Sequence, residues 1–177
     1  GSGAEGEVSL SQVTYEGYGP GGVAIIVEAL TDNKNRAAAE VRSIFSRHNG
    51  NLGGAGSVTW MFERKGIITV KKDLISEDDL MDIIIDAGAD DLSTEGDRYQ
   101  ITVSTENFEN VKKALEAKGL SLESASISLV PKNTVRVEGK DAEQLLRLMD
   151  ELEESDDVQE VYANFDIPDE VLATLEK

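Results

Sequence analysis

Residues 67–129 read IITVKKDLISEDDLMDIIIDAGADDLSTEGDRYQITVSTENFENVKKALEAKGLSLESASISL, and the order of periodicities along this stretch decides the fold. Ile67 to Val70 is a short apolar strand. Ser76, followed by Glu77, Asp78 and Asp79, opens a helix; Leu80, Ile83, Ile84 and Ala87 fall on one side of it, and Gly88 ends it. Asp91 to Glu95 and Arg98 to Val103 form a hairpin across Gly96, with Tyr99, Ile101 and Val103 facing inward. A helix over Glu106 to Lys118 carries Phe108, Val111 and Leu115 on one side, with Gly119 just past its end. Ala125, Ile127 and Leu129 mark a last strand. The order β-α-β-β-α-β is that of a ferredoxin-like split βαβ unit.

The flanks on either side make sense if this unit is an insertion. Upstream, Gln12 to Tyr18 and Val23 to Leu30 are strand-like, and Gly19-Pro20-Gly21-Gly22 between them signals a hairpin. Asp32 or Asn33 caps a helix with the stripe Val41, Ile44, Phe45 and His48, which Asn49-Gly50 stops. Residues 57–64 then alternate as a strand, with Val58, Trp60 and Phe62 on one face and Thr59, Met61 and Glu63 on the other. Downstream, 134–137 reads as a strand, 141–154 as a helix with Leu145, Met149 and Leu152, and 158–165 as a strand. Joined across the insert, the flanks compose a second ferredoxin-like sandwich. The expected architecture is therefore α+β: a linker over 1–11, a discontinuous outer domain over 12–65 and 132–167, an inserted domain over 66–131, and a C-terminal tail over 168–177. The alternative is one large mixed sheet, disfavoured because each unit already has two helices to cover one sheet face.

Charge divides the chain. The net charge of −18 splits into +3 over 13–72, from eight Lys/Arg against five Asp/Glu, −2 before that stretch and −19 after it. A field this negative repels phosphate at long range, so any contact with nucleic acid falls to the first third; the plainer reading is an acidic surface that keeps a protein in solution. No apolar run approaches the ~20 residues that span a bilayer, and no membrane partner is expected. The absence of cysteine excludes disulfides and thiolate zinc sites and fits a reducing compartment such as the cytoplasm.

Catalytic machinery is not visible. His48 is the only histidine, so triads and zinc sites lack partners; it reads as a half-buried residue near a helix end. No enzyme activity, cofactor or metal is expected. Gly17, Gly19, Gly21 and Gly22 precede a strand, not a helix N-terminus, and read as a tight turn and not a nucleotide cradle. The second glycine loop, Asn51 to Ser57, lets backbone N–H groups approach a ligand at Gly53, Gly54, Gly56 and Ser57, or else serves as a connection needing positive φ. In the first helix Arg36, Glu40, Ser43 and Arg47 share a face opposite the apolar stripe, with Arg42 to one side and Lys34 at the start. Together with Arg64 and Lys65 these residues are the candidate nucleic-acid-binding strip, weighed against a solvated helix face. Trp60 and Phe62 evoke the stacking aromatics of RNA-binding sheets, but sharing a face with Val58 favours a core position.

Three segments carry a resemblance: residues 14–66, from TYEGYGPGG through NLGGAGSVTWMFERKG; LVPKNTVRV at 129–137; and VQEVYANFDI at 158–167. In these the chain resembles the YebC/PmpR group of bacterial gene-expression regulators, whose mitochondrial relatives are translational activators of cytochrome oxidase. The resemblance implies two ferredoxin-like domains, one inserted in the other, and a protein that works by binding. It implies DNA association as a transcriptional regulator, or action at the ribosome as a translation factor. It also implies a helical, Lys/Arg-rich domain ahead of the linker; a first residue of Gly1 instead of Met points to a processed or truncated start. A third expectation, from charge alone, is docking of the acidic insert on a basic partner such as a ribosomal protein.

Overall fold

A computed structural model describes residues 9–175. Its elements run β1 (Ser11–Gly19), β2 (Val23–Thr31), α1 (Lys34–Arg47), β3 (Asn51–Leu52), β4 (Phe62–Lys71), α2 (Glu77–Ala87), β5 (Asp91–Glu95), β6 (Arg98–Val103), α3 (Phe108–Ala117), β7 (Ser124–Pro131), β8 (Val135–Arg136), α4 (Gly139–Glu154), β9 (Val158–Ala163), β10 (Phe165–Asp166) and α5 (Asp169–Leu175). They fall into two compact units, one built from the chain up to Phe62 and from Pro131 onward, the other from Glu63 to Val130.

The contiguous unit is a four-stranded sheet in the order β5-β6-β4-β7. Counted along the unit, its strands lie 2-3-1-4, the ferredoxin-like order. Antiparallel pairing of β4 with β6 runs from Gly66 opposite Val103 to Lys71 opposite Arg98. Local signals set the helix ends: the Ser76 hydroxyl accepts the Asp79 N–H at 3.2 Å, and Gly88 closes α2 at φ 99°. Ile68, Val70, Leu80, Ile84, Tyr99, Ile101, Val103, Val111 and Leu115 form the buried core. Alternation along β4 and β6 and the 3–4 spacing on α2 and α3 bring these residues to one interior.

The outer unit is also α+β, with α1 and α4 contributing to the core over a sheet ordered β3-β1-β2-β9. Val23 to Val27 on β2 are wholly buried between two antiparallel neighbours, β1 and β9. Val23, Ile25 and Val27 meet Val41, Ile44 and Phe45 of α1 and Leu145, Leu148 and Leu152 of α4. The turn between β1 and β2 holds Gly21 and Gly22 at φ 81° and 79°, where any side chain would be strained.

Here the strand identities differ from the sequence expectation. Residues 57–64 do not form one strand: Thr59–Met61 is a single 3-10 turn, and β4 starts at Phe62. Trp60 leaves the core and is 65% exposed. β1 pairs with β2, as the hairpin signal at Gly19–Gly22 predicts, whereas β8 lies outside this sheet and pairs in parallel with β10 in a separate two-stranded sheet. The single mixed sheet does not form. Because β4 is continuous from Phe62, Glu63 to Lys65 go with the inserted unit, where 12–65 had placed them in the outer one. The stretch 168–177, expected to be a tail, contains α5, whose Val171, Leu172 and Leu175 pack on the outer core. Of the expected linker 1–11, residues 1–8 lie outside the described residues and Ser11 already begins β1.

One buried side chain makes the departure to β10. Asn164, 5% exposed, sits between β9 and β10 and accepts the Ala24 N–H on its Oδ1 at 2.8 Å, while its own N–H reaches Ala24 O and its carbonyl takes the Val135 N–H. The amide thus replaces a ladder bond at the point where the chain switches sheets. Asn164→Ala should leave the Ala24 N–H buried without an acceptor and lower stability by about 1–3 kcal/mol, measured by urea unfolding followed by circular dichroism.

Candidate nucleic-acid interface

The basic helix begins at Asn33, whose Oδ1 accepts the Arg36 N–H at 3.0 Å. This cap turns Arg36 toward carboxylates. Its guanidinium lies 2.7 Å from Asp32 Oδ1 and 3.2 Å from Asp157 Oδ2. At the other end Arg47 donates to the Ser43 hydroxyl at 2.8 Å and pairs with Glu151 at 3.3 Å. His48, half-buried at the helix C-terminus, pairs with the same Glu151. The bond from His48, helped by Arg47 alongside, holds the Glu151 carboxyl below its ordinary value against the upward push of burial. Arg36 and Arg47 therefore tie α1 to the segment running from α4 into β9. Lys34 and Arg42 are exposed, and among the described residues neither forms an ion pair.

Arg64 and Lys65 belong to β4 in the inserted unit. Arg64 is exposed, while Lys65 is half-buried and donates to Asp90 Oδ2 at 2.8 Å. The six candidate cations are thus divided between the two units, and three of them are held by carboxylates. Within α1, Lys34 and Arg42 keep their charge uncompensated.

The glycine loop has an occupant that was not foreseen. Glu16, on β1 and 6% exposed, takes the Gly56 N–H on Oε2 at 2.7 Å and the Val58 and Thr59 N–H groups on Oε1 at 3.0 and 2.9 Å. Its backbone carbonyl accepts the Gly53 N–H at 2.8 Å. Burial pushes this carboxyl up, but the N–H bonds from Gly56, Val58 and Thr59 outweigh it and hold the pKa below its ordinary value. Converging N–H groups of this kind form a nest for an anion, and here the anion is the protein's own. Gly53 and Gly56 spend their N–H groups on Glu16, and Ser57 turns its hydroxyl to Gly54 O at 2.8 Å. The loop is a brace, and what it holds outward is Trp60. The indole N–H donates to Ser57 O at 3.0 Å, and the side chain stays largely in solvent. Next to it, Met61 O accepts the N–H of the exposed Lys132 at 2.9 Å.

Among the described residues no three His, Asp or Glu come together as a metal site, and no helix is long and apolar enough to cross a membrane.

The family model for the second and third domains of TACO1/YebC matches residues 10–165. A probable transcriptional regulatory protein of Syntrophobacter fumaroxidans is 58% identical over 166 residues, covering 93% of this chain and 67% of the relative. One of Dictyoglomus thermophilum is 55% identical over 176 residues, covering 99% and 71%. Among solved structures, a conserved hypothetical protein from Aquifex aeolicus superposes with a TM-score of 0.85 at 44% identity, over 97% of this chain and 70% of that one. By the match over residues 10–165 and the identity to these relatives, this chain belongs to the TACO1/YebC family.

Proposed function

We propose that this chain serves a regulator of gene expression that works by associating with nucleic acid, as a DNA-binding regulator of transcription and without turnover. The observation that carries the reading is the match of the family over 10–165, with relatives named as probable transcriptional regulatory proteins. The local support is α1, which presents Lys34 and Arg42 to solvent, free of the carboxylates that hold Arg36 and Arg47. Contacts of this type go to phosphates: they position the protein on the nucleic acid without reading sequence. The chain's net charge of −18 limits their strength, so association at physiological salt is expected to be no tighter than about 0.1 mM.

The test is fluorescence anisotropy of labelled duplex DNA against salt concentration. Lys34→Glu with Arg42→Glu should flatten the salt dependence by about 0.9 in slope for each lost phosphate contact. Stability should stay within about 0.5 kcal/mol, as for exposed substitutions generally. An unchanged slope in a folded double variant would reject α1 as the contact surface. Action at the ribosome is the second reading, favoured by the exposed Trp60, because a flat aromatic face suits unpaired bases better than duplex.

A further inference from the structure

We infer that Trp60 is a stacking platform for an unpaired nucleobase, presented by a loop that Glu16 holds rigid. The inference rests on the nucleic-acid reading above and names the part of the ligand that α1 does not address.

The first argument is exposure against expense. Trp60 is the chain's only tryptophan and is 65% exposed, although the residues two before and two after it, Val58 and Phe62, are buried. Leaving so large an apolar ring in water forgoes a burial worth more than that of any other side chain type here. The fold could have followed the period-2 pattern and buried it. Instead the 3-10 turn Thr59–Met61 rotates it outward.

The second argument is rigidity. The turn is fixed at both of its first N–H groups, since Val58 and Thr59 donate to one buried oxygen of Glu16, and Gly56 donates to the other. The indole N–H is fixed on Ser57 O. An aromatic ring already immobilised loses little freedom when a ligand covers it. With the indole N–H satisfied internally, the chemistry that remains to Trp60 is that of its π faces.

The third argument separates a base from a protein partner. Trp60 has no large exposed apolar companion in its loop: among the described residues the other large exposed apolar side chains are Leu10, Leu74, Ile85 and Ile127. Gly54 and Gly56 have open space where a Cβ would stand. A protein hot spot gathers apolar neighbours that exclude water, whereas a nucleobase needs one flat face, unobstructed access and a cation near its phosphate. Exposed Lys132, whose backbone N–H bonds to Met61 O, is the candidate for that cation. Stacking on an aromatic face tolerates any base, so the site selects strandedness over sequence.

Because Trp60 is the only tryptophan, its emission reports on the site directly. The 177-residue chain is titrated at about 50 mM salt with single strands of about 12 nucleotides, oligouridine and oligothymidine, and with a duplex of matching length. Anisotropy of the labelled strands is followed in parallel. The expected result is saturable quenching by the single strands, binding of the duplex without quenching, and an affinity for the single strand about 5- to 150-fold weaker in Trp60→Ala. Trp60→Phe should keep most of the affinity, which separates loss of stacking from loss of fold. Tighter quenching by the ribose or the deoxyribose strand identifies RNA or DNA as the source of the base. Single strands that bind by anisotropy with unchanged emission and equal affinity for Trp60→Ala would overturn the inference and leave the α1 reading standing. Equal quenching by duplex would overturn it as well. No association of any strand or duplex would remove both readings together.

Discussion

Replacing Glu16 by alanine is expected to lower the free energy of unfolding by roughly 3 kcal/mol, near the top of what a single substitution removes. Three N–H groups, those of Gly56, Val58 and Thr59, lose their acceptor at once, and Val58 is wholly buried. Water can reach Gly56 and Thr59 but not Val58 without opening the loop. Glu16→Gln keeps one oxygen for Val58 and Thr59 but turns an amide NH2 toward the Gly56 N–H, so it should recover only part of the loss. A pH dependence accompanies this. The native carboxyl titrates below its ordinary value, despite the upward push of burial, because the three N–H groups favour its charged form. Its stabilisation is therefore fully present above the unfolded value and is lost as pH falls through the lower native one. Urea unfolding followed by circular dichroism at pH 7 and near pH 4 checks both: the gap between wild type and Glu16→Gln should narrow in acid. Equal stabilities at pH 7 would mean that the loop does not depend on this carboxylate.

The second large effect is expected from the smallest change. A Cβ on Gly66 would stand 2.3 Å from Cδ1 of Phe108 and 2.9 Å from Cγ1 of Val103, both in the core of the inserted unit. Phe108 opens α3, and Val103 lies opposite Gly66 in the β4–β6 register. Gly66→Ala forces the helix and strand apart and should cost about 1–3 kcal/mol. If the two units fold as separate bodies, amide hydrogen exchange should accelerate in β4, β6, α2 and α3 and stay unchanged in β2 and α4. Equal acceleration across β2 and α4 would show that the chain unfolds as one cooperative body.

How far the sequence could be read depended on the distance of the partner. Ser76, Gly88, Gly96 and the stripe Leu80–Ile84 act within a few residues, and they placed the inserted unit. Asn33 as a cap and the turn at Gly19–Gly22 were legible for the same reason. Trp60 was not. Alternation put it with Val58 and Phe62, but the N–H groups of Val58 and Thr59 are drawn to a carboxylate more than forty residues earlier, and that pull breaks the strand. A single acid in the middle of β1, facing a glycine-rich loop, was the available signal. The partners of the basic strip were hidden in a similar way: Arg36 and Arg47 share a helix face, and Asp157 and Glu151, more than a hundred residues on, pair with them. Periodicity shows which side of a helix a charge occupies and says nothing about what waits there. The sheet switch at Asn164 was hidden for the same reason, since its acceptor oxygen serves Ala24 at a separation of 140 residues.

The discontinuity of the outer unit sets an order of events during synthesis. Its central strand β2 is made before the insert, yet β9, which flanks it, and α4, which covers it, follow the whole inserted unit. At ~5–20 residues per second, the contiguous insert is complete some seconds before β9 emerges. During that interval Ile25 and Val27 lack Leu145, Leu148 and Leu152, the side chains that close their core. The insert, with all of its own contacts already in hand, is the part of the nascent chain able to become native first, and the outer unit waits for its second segment with an apolar strand uncovered.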